Sequence, residues 1–125
     1  MADFNKALKI KPEFAAAYSN RGLAYAFLGQ YEKAIEDYNR ALELEPDGNT
    51  YYNRAMAYFN LKHYNKAIKD FKSALVKNFD MPELYYYMAL AEYYIGKKQE
   101  ACIDMQVAQS RGVSGAMDFL KKYCK

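Results

Sequence analysis

Catalysis needs unlike reactive groups brought to one place, and the residues able to do such chemistry are few. His63 is the one histidine among 125 residues, so neither a His-based triad nor a two-His metal site is available within one chain. It falls in a predicted turn, LKH at 61–63. Cys102 and Cys124 lie in segments that read as helices. Two cysteines are too few for a disulfide framework, so reduced thiols are expected. Cys102 reads as a small buried residue beside Ala101, and Cys124 as packed or half-exposed near the end. The carboxylate pairs Glu36 with Asp37 and Glu43 with Glu45 have the residue type for acid–base work. One unit later the same places hold Lys69 with Asp70 and Val76 with Asn78, so they read as a solvated helix face. The glycine-rich loops that cradle phosphates are absent. No catalytic residue, metal ligand or cofactor is assigned, and an enzyme is not expected.

Composition narrows the remaining classes. No apolar run approaches the ~18 residues that span a bilayer, and MADFNKALKIKPEF lacks the apolar core of a signal peptide. A soluble chain is expected, cytoplasmic by default, with no membrane partner. A net charge of +3 and a pI of about 8.7 are mild beside the dense basic stripe of nucleic-acid modules, so no nucleic-acid partner is expected. The unusual ingredient is tyrosine, with 14 copies. It reconciles a 52% hydrophobic content with a mean hydropathy of -0.46.

The elements that carry these residues repeat. Ala7, Ala41, Ala74 and Ala108 recur at separations of 34, 33 and 34 residues. Within each unit, apolar residues return at three and four, which predicts two helices of roughly 13 residues joined by short polar turns. The turns are LGQ (28–30), EPDG (45–48), LKH (61–63), IGKK (95–98) and SRGV (110–113). The alanines imply helix backbones in close approach.

The first full unit carries Tyr18, Arg21-Gly22, Tyr25, Ala34, Tyr38, Ala41 and Pro46. The second carries Tyr51, Arg54-Ala55, Tyr58, Ala67, Phe71 and Ala74, with Phe79 in the proline position. The third carries Tyr85, Met88-Ala89, Ala101, Met105 and Ala108, with Glu92 for the tyrosine and Val113 for the proline. This pattern resembles the tetratricopeptide repeat (TPR) family, whose unit is an antiparallel helix pair of about 34 residues. The resemblance covers residues 2–113. It implies an all-α fold, a right-handed α–α superhelix of antiparallel helix pairs ending in a capping helix. The expected organisation is a half-repeat helix at 2–12, repeats at 13–46, 47–79 and 80–112, and a cap at 113–125. The half-unit reads as a cut from a longer chain, or else as an N-terminal cap. In the cap, Ser114 reads as the N-cap, and Met117, Leu120 and Cys124 as an apolar stripe with Phe119 and Tyr123 beside it.

Beside the family residues, each first helix carries a second stripe. It comprises Ser19, Asn20, Leu23, Ala26 and Phe27; then Tyr52, Asn53, Met56, Phe59 and Asn60; then Tyr86, Tyr87, Leu90, Tyr93 and Tyr94. The helix ELYYYMALAEYYIG is thus apolar or aromatic almost all round, and such a helix must be enclosed. The resemblance instead places the inner side of first helices along a concave groove. Tyrosine and phenylalanine offer large contact area with little rotamer entropy to lose, and tyrosine tolerates water. Asn20, Leu23, Phe27, Tyr52, Asn53, Met56, Phe59, Tyr86, Tyr87, Leu90, Tyr93 and Tyr94 are therefore candidates for a peptide-binding groove, with Tyr86 or Tyr93 as anchors. The alternative, that these rings wedge between neighbouring helices, stays open.

By the same resemblance, clamping the acidic C-terminus of a chaperone would require a lysine at Ser19, asparagines at Leu23 and Asn53, and basic residues at Glu83 and Tyr87. Only Asn53 matches, so that partner is disfavoured and an apolar or aromatic segment is expected. Between 32 and 47, six acids stand against Lys33 and Arg40, net -4. Between 62 and 77, five lysines stand against Asp70, net +4. Such patches suit self-association, although surface charges are individually weak. The expected role is a protein-interaction scaffold for a protein or peptide partner, with homo-oligomeric assembly as the alternative.

Overall fold

The structure, a computed structural model, describes residues 14–124; the half-unit expected at 2–12 lies outside them. Seven helices and no strands are found among the described residues: α1 Ala15–Phe27, α2 Tyr31–Leu44, α3 Gly48–Asn60, α4 Tyr64–Val76, α5 Pro82–Tyr94, α6 Lys98–Ser110 and α7 Ala116–Tyr123. The fold is all-α, as expected. Each start and stop has a local cause. Asp47 caps α3, its carboxylate accepting from Thr50 N at 3.3 Å, which satisfies one orphan donor of the first turn. Pro82 opens α5, where its missing N–H costs nothing. The turn inside each pair needs one left-handed residue, supplied in register by Gly29, Lys62 and Gly96 at φ 78, 63 and 88°.

The helices stack as pairs. α1 packs on α2, α3 on α4 and α5 on α6, and each second helix packs on the next first helix. The first helices α1, α3 and α5 also meet in series, so the row bends toward them. Close approach depends on small residues: Ala34, Ala55, Ala67, Ala74, Ala89, Ala101 and Ala108 are wholly buried. Around them lie Tyr38, Phe71, Leu84 and Met105, also wholly buried.

The charged positions of the second helices divide in a way that the sequence reading missed. Asp37 and Asp70 do not belong to a solvated face; each is 3% exposed and bound by an arginine. They repeat at the interval of the core residues, so their register marks them as inward-facing.

The C-terminal helix departs from expectation in three respects. Gly115, at φ 90°, is the residue before α7, and Ser114 makes no cap. The buried stripe is Ala116 and Phe119, with Met117 left 46% exposed. The cysteines are not reduced: Cys102 and Cys124 form a disulfide, their Cα atoms 5.8 Å apart. Cys102 stands one residue, about 100° of helix rotation, from the inward-facing Ala101. Its sulfur is therefore turned toward the end of α7, which packs on α6. The bond closes a loop with a sequence separation of 22 and ties the last helix to the third pair.

Two outcomes follow from this packing. A Cβ at Gly22 would stand 2.8 and 2.9 Å from the Tyr38 ring and 3.1 Å from the Ala34 carbonyl oxygen. Because Tyr38 is wholly buried, it has no space to retreat. Gly22→Ala is therefore expected to lose about 1–2 kcal/mol, the overpacking cost exceeding the ~1 kcal/mol of added helix propensity; a urea midpoint at or above that of the parent would refute the tight contact. Cys124→Ser removes the loop constraint and is expected to cost about 3 kcal/mol, with amide exchange in α7 rising first. Unchanged exchange in α7 would show that its packing alone holds it.

Candidate functional site: the face of the first helices

Two ion pairs fix the orientation of the first helices on their partners. Arg21 donates from Nε and Nη2 to Asp37 at 2.8 and 2.6 Å. Arg54 does the same to Asp70 at 2.7 and 2.8 Å. Both are bidentate forks, the geometry in which a guanidinium gains most from a carboxylate. Each arginine also lies between two rings of its own helix, Arg21 about 6 Å from Tyr18 and Tyr25 and Arg54 5.7 and 5.9 Å from Tyr51 and Tyr58. A further bond from Arg54 Nη1 to Asn39 Oδ1, 2.8 Å, carries the second pair back onto the first. The family-type residues thus occupy one side of each first helix and leave the second stripe to another.

That stripe splits into parts with different surroundings. Asn20 is exposed and borders a cleft between α1 and α3 with Ala16, Ser19, Asp47, Asn49 and Thr50; Ser19 and Thr50 share a side-chain hydrogen bond across it, 3.2 Å. Leu23 is half-buried, whereas Phe27 is 82% exposed. On α3, Tyr52 leans into the core against Phe71 and Phe79, ring centroids 5.9 and 5.2 Å away. Burial, helped by Tyr87 and Glu83, pushes its hydroxyl up to about 12, so it stays neutral. Asn53, Met56 and Phe59 are half-buried.

On α5 the rings run in a continuous row. Tyr86 meets Tyr87 at 5.4 Å, Tyr87 meets Phe59 at 5.6 Å, and Phe59 meets Tyr64 at 5.6 Å. Tyr64 then meets Tyr94 at 5.0 Å, and Tyr94 meets Tyr93 at 6.2 Å. These distances suit edge and tilted ring contacts. Tyr93 goes on to Tyr123 at 4.7 Å and Phe119 at 5.4 Å on α7. Tyr86 reaches the same helix, its hydroxyl 3.3 Å from where a Gly115 Cβ would stand, and Leu90 packs in that cluster too. Tyr86, Leu90 and Tyr93 are therefore half-buried against the cap, while Tyr94 is 56% exposed.

Tyr64 belongs to this row although it begins a second helix; it recurs at the interval of Tyr31, which is the signal that would have found it. Phe119 and Tyr123 are likewise partners that only the folding back of α7 brings in. Among the described residues no group of three or more His, Cys, Asp or Glu is placed to hold a metal ion. No helix among them is long and apolar enough to cross a membrane.

Comparison with known proteins agrees with this geometry. The serine/threonine-protein phosphatase T of Trypanosoma brucei brucei is similar over 49 residues at 37% identity, spanning 39% of this chain but only 10% of the phosphatase. Among solved structures, the second TPR domain of human RPAP3 in complex with the HSP70 peptide SGPTIEEVD is 29% identical. It covers 89% of this chain and 95% of that one with a TM-score of 0.80. The first TPR of Spaghetti (RPAP3) bound to the HSP90 peptide SRMEEVD is 26% identical, covering 88% and 90% at a TM-score of 0.80. The tetratricopeptide repeat model matches residues 15–47 and 48–80, more than half of the chain and the two units built on Arg21 and Arg54. With its helix pairs, alanine contacts and matched units, the chain belongs to the tetratricopeptide repeat family.

Proposed function

We propose that the chain is a non-catalytic protein-interaction module whose first-helix face takes a neutral apolar or aromatic peptide segment. The observation that carries this reading is the row of rings on α3, α4 and α5, left partly open at Tyr94, with Phe27 exposed on α1. Asp47 lines the cleft beside Asn20 and Glu83 is exposed in the first turn of α5, so the charge at both places opposes an acidic ligand. Tyr94 and Phe27 are the anchors that remain exposed, because Tyr86 and Tyr93 are engaged by α7 and Tyr87 packs between Tyr86 and Phe59. Asn20, Asn53 and the half-buried Leu23 and Met56 complete the surface, the amides offering donors and acceptors to an extended backbone. The related domains bound to SRMEEVD and SGPTIEEVD support peptide binding as the mode. The ligand here differs in chemistry, since of Ser19, Leu23, Asn53, Glu83 and Tyr87 only Asn53 suits an acidic terminus.

A peptide selected from a displayed library for aromatic content and closed by a C-terminal amide is expected to bind with micromolar Kd, on the order of -8 kcal/mol. SRMEEVD is expected to bind more weakly. Phe27→Ala and Tyr94→Ala should each weaken the amidated peptide about tenfold and leave the helical circular-dichroism signal unchanged. Tighter binding of SRMEEVD, or affinity unaffected by both variants, would refute the reading.

A second reading rests on the outer surface. Glu32, Glu36, Glu43, Glu45 and Asp47 are exposed on and after α2, and Lys62, Lys66, Lys69, Lys72 and Lys77 on and around α4. A second copy of the chain would bring the two patches together. Sedimentation velocity is expected to show a dimer that dissociates as salt rises, because exposed charges are screened within about 10 Å at 0.1 M salt. A strict monomer at high concentration and low salt removes this reading.

A further inference from the structure

The third pair breaks the ionic scheme of the first two at three of its four positions. The arginine of Arg21 and Arg54 becomes Met88, the ring of Tyr25 and Tyr58 becomes Glu92, and the amine of Lys33 and Lys66 becomes Glu100, while the aspartate of Asp37 and Asp70 stays as Asp104. In the first two units the cluster has two cations and one anion. Lys33 lies over Tyr25 and Lys66 over Tyr58, at 5.7 and 5.5 Å. In the third it has three carboxyls and no cation of its own. Glu92 is 3% exposed, its Oε1 has no hydrogen-bond partner, and Asp104 of α6 faces it in the register that Asp37 and Asp70 hold opposite Arg21 and Arg54. Two carboxyls share a hydrogen bond only when one of them carries the proton.

We propose that Glu92 is a proton-dependent latch of the third helix pair: neutral, it donates to Asp104 and closes α5 on α6; ionised, it repels Asp104 and Glu100 and the pair loosens. The groups that face it are Asp104 and Glu100 from α6 and Lys72 from α4. Lys72 stands in the register that Asn39 holds one unit earlier, but it is exposed, so its attraction is weakened by water. Asp104 is only half-buried, whereas Glu92 is enclosed, so burial selects Glu92 as the member that carries the proton.

Burial foremost, with the Asp104 bond and its charge, pushes Glu92 from 4.5 up to about 8. A carboxyl raised in the folded state keeps a proton that the unfolded chain has released. Its contribution to stability is therefore complete below the unfolded value, falls as pH rises from 4.5 toward 8, and is constant above. Within that window the unfolding constant rises by up to about tenfold per pH unit.

The test compares the parent with Glu92→Gln, which keeps a donor for Asp104 and cannot ionise. Urea unfolding from pH 5 to 8.5 is expected to show the parent losing stability relative to the variant, the ratio of their unfolding constants growing by up to about tenfold per pH unit and levelling near pH 8. Amide exchange in α5 and α6 should follow the same ratio. Parallel profiles for the two proteins overturn the proposal. If Glu92→Gln does not fold, the side-chain carbon shift of Glu92 in the parent, followed by NMR against pH, decides: a midpoint in the ordinary carboxylate range overturns the latch, and one near 8 supports it.

Discussion

The structure depends on how closely two helix backbones can approach. Ala34, Ala67 and Ala101 are wholly buried on the second helices and Ala55 on a first, and at Gly22 a Cβ would already stand 3.1 Å from the Ala34 carbonyl oxygen. Tyr38 and Phe71, wholly buried, fill the space on either side. Protein interiors are packed as densely as organic crystals, so this spacing leaves little freedom. It also decides which residues stay outside. Once the alanine side of each first helix is committed to its partner, the stripe beside it must find other neighbours: Tyr52 leans on Phe71 and Phe79, Tyr93 on α7, and Phe27 stays exposed.

The ion pairs refine that arrangement. A half-buried arginine forked onto a buried aspartate costs desolvation that its Coulomb attraction repays only with good geometry, and the two forks have it. Their worth lies in angle and register, because each guanidinium also touches two rings on its own helix. The third pair does without this device. Its first helix is held by apolar packing of Leu84, Met88 and Ala91 on the second unit, by the cap on its far side, and by a carboxyl pair.

Much of this was legible in the sequence. Spacing gave away the helix pairs, the alanine contacts and the turns, because a repeated structure prints its period in every unit. The stripe of rings was visible for the same reason. What the sequence could not separate was a ring covered by another helix from a ring left open: Tyr86 and Tyr94 stand about 80° apart on a helical wheel, both within one aromatic stretch, and only the path of α7 shows which of them is covered. A cap at 113–125 was expected, but the residues it covers could not be read, since α7 is a single copy with no second one to align. Asp37 and Asp70 were misjudged because a charged residue on a helix is usually solvated, although their register with Arg21 and Arg54 held the answer. Cys102 and Cys124 were judged one at a time, and a bond between them is a property of the fold.

The bond from Arg54 to Asn39 makes the two joints between units unlike in kind. The joint between the first and second units is stitched by a guanidinium and an amide; that between the second and third is an apolar seam. Cooling weakens apolar association, so lower temperature loosens the seam between the second and third units, while the directed bond from Arg54 to Asn39 does not draw on that force.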